Sequence, residues 1–463
     1  MEGRGECAEM TKKDELVNDL TTGSIPKVLL TFAWPVMLSN LLQIVYTMVD
    51  MIVVGRAVGS AGLTAVSNGG ELSVLATTIC IGFSSAGQVL ISQFIGSGDL
   101  GAVKRTIGTM FSFMTMVSLL VTLIGIPLIK PVLGIMNVPE ESFASAFDYV
   151  LVCYGGMFFI FGYNMISAIL RGMGDSRHPL AFIAIAAVVN LALDLLFVAG
   201  FGWGVRGAAF ATVIGQAVSY ISSLIYLYRR REAFGFDFKR ASFAISRRIL
   251  LQIIRLGLPL GLQYGAVALS KLFVQSYINS YGVVAAAVTG IGLKIGQCAS
   301  IVTQGLGSAG TSIVGQNFGA GKFDRITKTV YTAWGYGLVF AAILSVLLTI
   351  FPTQIFGLFD KNPAVLAMAG SFVSAAILRF FGYALRSPMI GFINGMGNPL
   401  LSLTVGLLDS VIGRVLLSIL LGKTLNLGIQ GFWYGDALAG FFPFIIGGAW
   451  FFPGKWKKHR ALT

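Results

Sequence analysis

The feature that most constrains this chain is that its apolar residues come in long, nearly unbroken runs. About twelve such stretches reach 20 residues or more, the length at which a helix crosses roughly 30 Å of hydrocarbon. Lipid offers no partner for a bare N–H or C=O, so a run of this kind is stable only as a helix. Soluble folds are excluded by the same residues: 55% of the chain is hydrophobic and only 11% charged, where a globular protein carries charge at roughly a quarter of its positions. The expected spans are residues 27–54, 63–94, 104–128, 144–170, 179–199 and 205–228, then 250–277, 284–314, 328–350, 366–392, 399–421 and 428–453. The 58 glycines suit helices that pack closely in a membrane. The fold class is therefore all-α integral membrane, with twelve transmembrane helices in two pseudo-symmetric six-helix bundles.

A formal charge of +13 invites a nucleic-acid reading, which the placement of the charges undoes. With both termini on the cytoplasmic side, about 23 of the Lys and Arg residues are cytoplasmic, about 5 are outside and about 5 lie within spans, as the positive-inside rule expects. The densest basic stretch, Arg229 to Arg231 with Lys239, Arg240, Arg247 and Arg248, reads as a topology-setting loop more simply than as a patch for anionic lipid or nucleic acid. The implied organisation is a cytoplasmic segment 1–24, an N-lobe 25–230, a basic linker 231–248, a C-lobe 249–454 and a cytoplasmic tail 455–463. Cys7, Cys80, Cys153 and Cys298 have neither metal-like nor disulfide-framework spacing. The first 23 residues mix acid and base, unlike a cleavable signal, and Met10 is a natural start that leaves the residues before it dispensable.

The two halves repeat. Gln93-Phe94-Ile95-Gly96-Ser97-Gly98 matches Gln316-Asn317-Phe318-Gly319-Ala320-Gly321, and Gly172-Met173-Gly174 matches Gly395-Met396-Gly397, each pair 223 residues apart. Pro35 pairs with Pro259 early in the first span of each half, and Pro179 with Pro399. An even number of spans per repeat gives both halves one orientation, and transporters built this way carry their site between the halves. Pro35 breaks one backbone hydrogen bond of its helix; a static kink and a hinge are equally compatible with that.

An ionisable group inside a span is costly unless it is paired or hydrated, so each is a functional candidate. In the first half these groups are all acidic: Asp50, Glu71 and Asp194, each in the outer half of the membrane by span direction. Asn190 lies one turn before Asp194 on the same face, Tyr46 one turn before Asp50, and Thr212 adds a hydroxyl. Carboxylate, amide and hydroxyl oxygens suit a proton or a hard cation such as Na+; hydrogen bonds within a structural cavity are the bland alternative. Glu71 is divided evenly between coupling and structure and counts as a substrate-cavity candidate. The second half is basic, with Lys271, Lys294, Arg379, Arg386 and Arg414 against Asp409 and Asp436. At aligned positions Asp194 becomes Arg414 and Thr212 becomes Asp436. Arg414 is expected to pair with Asp409 or Asp436, and Arg386 to reach headgroups. Lys271 and Lys294 have no evident partner and are candidates for an anionic or polar part of a substrate. Phe158, Phe159, Tyr264 and Tyr331 are better explained by packing than by a pocket.

The segment Gly23-Ser24-Ile25-Pro26-Lys27, Pro35 followed fifteen residues on by Asp50, the paired Gln-x-x-Gly-x-Gly loops, Leu170 to Asp175 and Asn190-Leu191-Ala192-Leu193-Asp194 together resemble the multidrug and toxic compound extrusion (MATE) family over nearly the whole chain. The resemblance implies two six-helix bundles in a V and export of drugs or metabolites driven by inward H+ or Na+. It places cation coupling at Asp50, Asn190, Asp194 and Thr212, with Tyr149 as the matching tyrosine of span four and Pro35 as the bend. The family's alternative site on acids of the seventh and tenth helices has no counterpart here.

The expected function is thus a secondary active exporter, not an enzyme, working by alternating access as a monomer in the cell membrane. Its partners are a small-molecule substrate and membrane lipid, not nucleic acid, and it needs no cofactor beyond the coupling H+ or Na+. The rivals are a lipid-linked oligosaccharide flippase of the same superfamily, whose extra helices are missing, and an integral-membrane enzyme, for which His178 and His459 form no catalytic constellation. A channel is disfavoured by the lack of a filter-like loop.

Overall fold

A computed structural model describes residues 18–232 and 235–462; Cys7 and the start at Met10 lie outside them. The first half contains α1 (Ile25–Val58), α2 (Ser60–Ser97), α3 (Leu100–Ile135), α4 (Glu140–Gly155), α5 (Met157–Gly172), α6 (Arg177–Asp194) and α7 (Gly204–Arg229). The second contains α8 (Arg247–Asn279), α9 (Val283–Gly319), α10 (Phe323–Ile350), the short α11 (Pro352–Gly357), α12 (Pro363–Gly395), α13 (Pro399–Leu407), α14 (Gly428–Ala439) and α15 (Phe442–Phe451). Among the described residues, ten helices are long and apolar enough to cross a membrane, counting α6 and α13 with their continuations, and α4 with α5 forms an eleventh span bent by 51°. That bend falls at the Gly155-Gly156 pair, which stiffens the helix least. The expected twelfth span is likewise broken, into α14 and α15, where Gly440 is followed by Pro443 at the start of the next helix.

The fifth span of each half departs from α geometry. A π-helical turn, Leu195–Gly200, follows α6 directly, and α13 runs into π-helical Leu408–Leu416 and Leu420–Thr424. Such i→i+5 stretches re-aim side chains and concentrate at functional positions.

The repeat is written into the backbone as well as the residues. Gly59 and Gly282, Gly98 and Gly321, Gly174 and Gly397, and Gly204 and Gly428 all adopt positive φ between 58° and 97°, so each half turns its corners at equivalent places. One of these corners is closed by side-chain capping too: Gly98 ends α2, and the Asp99 carboxylate then accepts from the Ala102 N–H at 2.8 Å.

The chain forms two compact units. One comprises 18–22 and Leu38–Gly257; the other comprises Gly23–Met37 and Leu258–Leu462. These boundaries differ from the lobes expected at 25–230 and 249–454. The first part of α1 belongs to the second unit and the first part of α8 to the first unit. Each exchange ends within two residues of a proline, Pro35 in α1 and Pro259 in α8. The packing shows why. Within the second unit the Ala33 carbonyl and Met37 lie against Gly305 of α9, and Arg325 Nη1 donates to the Gly23 carbonyl at 2.9 Å. Within the first unit Gly257 packs on Phe83.

In the first unit α2 packs against α3, α4 and α5, and α6 against α7. The basic linker belongs to it as well: Phe236 stacks on Phe111 of α3, Phe238 and Phe243 meet the same ring edge-on, and Ser112 Oγ donates to the Phe243 carbonyl at 2.6 Å. Here the Ser242 hydroxyl, followed by the Lys239 N–H, holds the Asp237 carboxyl below the usual carboxylate range. In the second unit α12 packs on α9 and α10 around Phe372 and Trp433, whose indole donates to Thr289 Oγ1 at 2.8 Å. The backbones of α9 and α12 touch: a methyl group at Gly391 would collide with the Gly307 carbonyl. Gly391→Ala is expected to cost about 1–3 kcal/mol, read as a lower melting temperature of the purified protein; unchanged melting would mean that the two helices part freely.

Candidate functional site

The first-half candidates converge inside the first unit. Asp50 comes from α1, Asn190 and Asp194 from α6, and Thr212 from α7; Asp50 is 6% exposed, Asn190 3% and Asp194 fully buried. Gly215 of α7 permits the approach, since a Cβ there would sit 3.2 Å from both the Ala186 carbonyl and Asn190 Cβ. With its amide oriented to satisfy both neighbours, Asn190 Nδ2 donates to Asp50 Oδ1 at 2.8 Å and its oxygen accepts from the Thr212 N–H at 3.2 Å. The Thr212 hydroxyl stands 3.5 Å from Asp50 Oδ2, at the outer limit of a hydrogen bond.

Asp194 faces Asp50 within hydrogen-bonding reach. Two carboxylates cannot donate to one another, so both Asp194 oxygens lack a donor among the described residues. A single proton between the pair, or a bound cation, would satisfy them. Neither acid has a Lys or Arg within ion-pair distance among the described residues.

Tyr149 and Tyr46 flank Asp50 closely enough to interact with it electrostatically. Tyr149 is packed against Gly69 of α2, where a Cβ would lie 2.8 Å from its ring. Tyr46, Ala186, Asn190, Thr212, Gly215 and Gln216 line a small pocket with room for about one water or a small ion rather than a drug-sized ligand. Gln216, which lines the same pocket as Tyr46, escaped sequence reasoning. Its signal was present: it stands one helical turn after Thr212 in an otherwise apolar run. Glu71 is not drawn in; it is exposed.

A second ionic cluster lies within the second unit. Arg379 Nη2 donates to Asp436 Oδ2 at 2.6 Å, and Arg414 forms an ion pair with the other Asp436 oxygen. Arg414 also stands 3.5 Å from Asp409, and Arg386 Nη2 donates to Asp409 at 2.7 Å. Arg386 thus points inward rather than to headgroups, because the fully buried Asp409 demands a donor. Asp409 and Arg414 are five residues apart, a spacing that an α-helix would splay; the π-helical Leu408–Leu416 turns both inward. Lys271 is exposed and adjoins Tyr383, Arg414, Arg386 and Arg379 electrostatically. Lys294 is exposed and makes no ion pair with a described residue.

A duplicated, all-helical, multi-pass architecture with buried ionic sites is a membrane transporter fold. The MatE family profile matches residues 35–196 and 259–419, more than half of the chain, and each match opens on one of the paired prolines. This chain belongs to the MatE family. It is 25% identical to the probable multidrug resistance protein YpnP of Bacillus subtilis (strain 168), over 96% of this chain and 99% of that one. It is 30% identical to the probable multidrug resistance protein YoeA of the same organism, over 73% and 74%. Its fold is similar to that of a MOP superfamily transporter from Pyrococcus furiosus Vc1 (DSM3638), with a TM-score of 0.88 at 22% identity over 95% of this chain and 98% of that one. The work on that transporter attributes to it a binding pocket of reversed polarity.

Proposed function

We propose that this chain exports small organic molecules in exchange for H+ or Na+, with Asp50 and Asp194 as the coupling pair. One observation carries the reading: two buried carboxyls face each other, served by an amide and a hydroxyl, with no basic neighbour among the described residues. Such a pair gains stability by taking up a proton or cation, and loses it when the ion leaves. The names of YpnP and YoeA support drugs as the cargo class.

In the outward-facing state the pair binds its ion from outside, α1 bends near Pro35 and the substrate leaves. In the inward-facing state the ion departs to the cytoplasm and new substrate enters. Coupling follows only if each ligand binds the two states differently. One charge moving inward through 100 mV releases about 2.3 kcal/mol, enough for a roughly 50-fold gradient of a neutral solute. The protein acts as a monomer in the cell membrane, with both termini cytoplasmic.

The test is transport in proteoliposomes, with pH and Na+ gradients imposed separately and a panel of cationic and anionic dyes as cargo. Accumulation driven by one gradient is expected. Dye movement that ignores both would remove antiport from consideration.

A further inference from the structure

The basic cluster of the second unit has more positive charge than its acids can neutralise. Its core is a chain of alternating sign, Arg379–Asp436–Arg414–Asp409–Arg386, which ends in a guanidinium on both sides. Lys271 adjoins it, so four cations face two acids. No further acid is at hand: from Leu251 through Phe359 the sequence contains Asp324 alone, at the first turn of α10. An uncompensated charge at membrane depth is costly, and such groups are held where something else meets them.

The donors are also left over in the geometry. Arg379 is 3% exposed, yet its Nε and Nη1 have no acceptor among the described residues, and the Nε atoms of Arg386 and Arg414 likewise lack one. Arg379 Nη1 faces a notch where α9 carries no side chain: a Cβ at Gly296 would lie 3.8 Å from that nitrogen and 4.0 Å from the Tyr383 ring. The notch therefore borders an unused guanidinium edge and a tyrosine, with both of which Lys271 interacts electrostatically. A structural ion pair needs one base for each acid; this arrangement offers a fork of spare N–H groups, the geometry that matches carboxylate and phosphate oxygens.

We propose that Arg379, Arg386, Arg414 and Lys271 form an anion subsite in the second unit, which takes the carboxylate or phosphate group of the exported molecule. The proposal rests on the exporter reading and narrows it to cargo with an anionic group. Lys271 makes the outer contact, the Arg379 edge at Gly296 the inner one, and Asp409 and Asp436 hold the guanidiniums in place.

The test is equilibrium binding of carboxyfluorescein, by fluorescence polarisation, to the full-length protein in phosphatidylcholine nanodiscs. Lys271→Gln and Gly296→Leu, the second of which changes no charge, are each expected to weaken binding about tenfold, and Lys271→Arg to retain it. Inorganic phosphate should compete. Repeating the titration in phosphatidylglycerol nanodiscs separates two sources of the same chemistry: unchanged affinity assigns the subsite to a soluble anion, and displacement of the dye assigns it to a lipid headgroup. If the wild-type protein binds no dye in either lipid, or if well-folded Lys271→Gln and Gly296→Leu bind it as the wild type does, the subsite does not exist. No ion gradient enters this measurement, so a failure of antiport at Asp50 and Asp194 would leave its outcome readable.

Discussion

Asp50→Asn and Asp194→Asn are each expected to abolish uphill transport while leaving the protein folded. Asparagine keeps the size of aspartate and can still hydrogen-bond, but it can neither take up a proton nor carry the charge that binds Na+. At a driving force equivalent to 100 mV, the steady-state ratio of cargo across the vesicle should fall from up to about 50 towards 1. Asp194 is the sharper test, since both of its oxygens lack a donor in the charged form. Asp50, by contrast, keeps Asn190 at 2.8 Å. The measurement is accumulation of a fluorescent substrate against time in proteoliposomes, with gradient-free equilibration as the control. Wild-type accumulation in both variants would move coupling away from this pair.

The second large effect concerns stability. Asp409 is fully buried between Arg386 and Arg414, so Asp409→Asn removes the one negative charge that both guanidiniums share. Breaking a buried pair in this way costs about 3–5 kcal/mol, a fall in melting temperature of roughly 6–20 °C for a unit of this size. Arg386→Met should cost less, because Asp409 keeps Arg414 as a partner. Melting curves of the two variants in one detergent decide the matter: equal, small shifts would mean that water or detergent screens the cluster.

Much of this architecture was legible because membrane folding leaves few alternatives. Apolar runs must be helices, and the repeated Gly-x-Gly corners reappear as paired positive-φ turns at the same spacing. The four polar residues Asp50, Asn190, Asp194 and Thr212 stand out in apolar helices, and the structure brings them together. Other features depend on contacts distant in the chain. Nothing in a hydropathy pattern tells that the last span breaks at Gly440, or that α4 and α5 bend at Gly156. The inward turn of Arg386 follows from the burial of Asp409, and that in turn from a π-helical stretch which local sequence does not announce. Gln216 was hidden because a lone amide in a span is as often packing as function.

The two prolines also bear on how the chain is put together during synthesis. Residues Gly23–Met37 leave the ribosome well ahead of the rest of their unit, which is not complete until Leu258–Leu462 have followed. The opening arm must therefore wait, unsheltered by its final neighbours, through the translation of more than 200 residues. A chain cut in the linker would yield two fragments, each lacking a strip of its own core that the other carries. Fragments of this kind can mature only in each other's company.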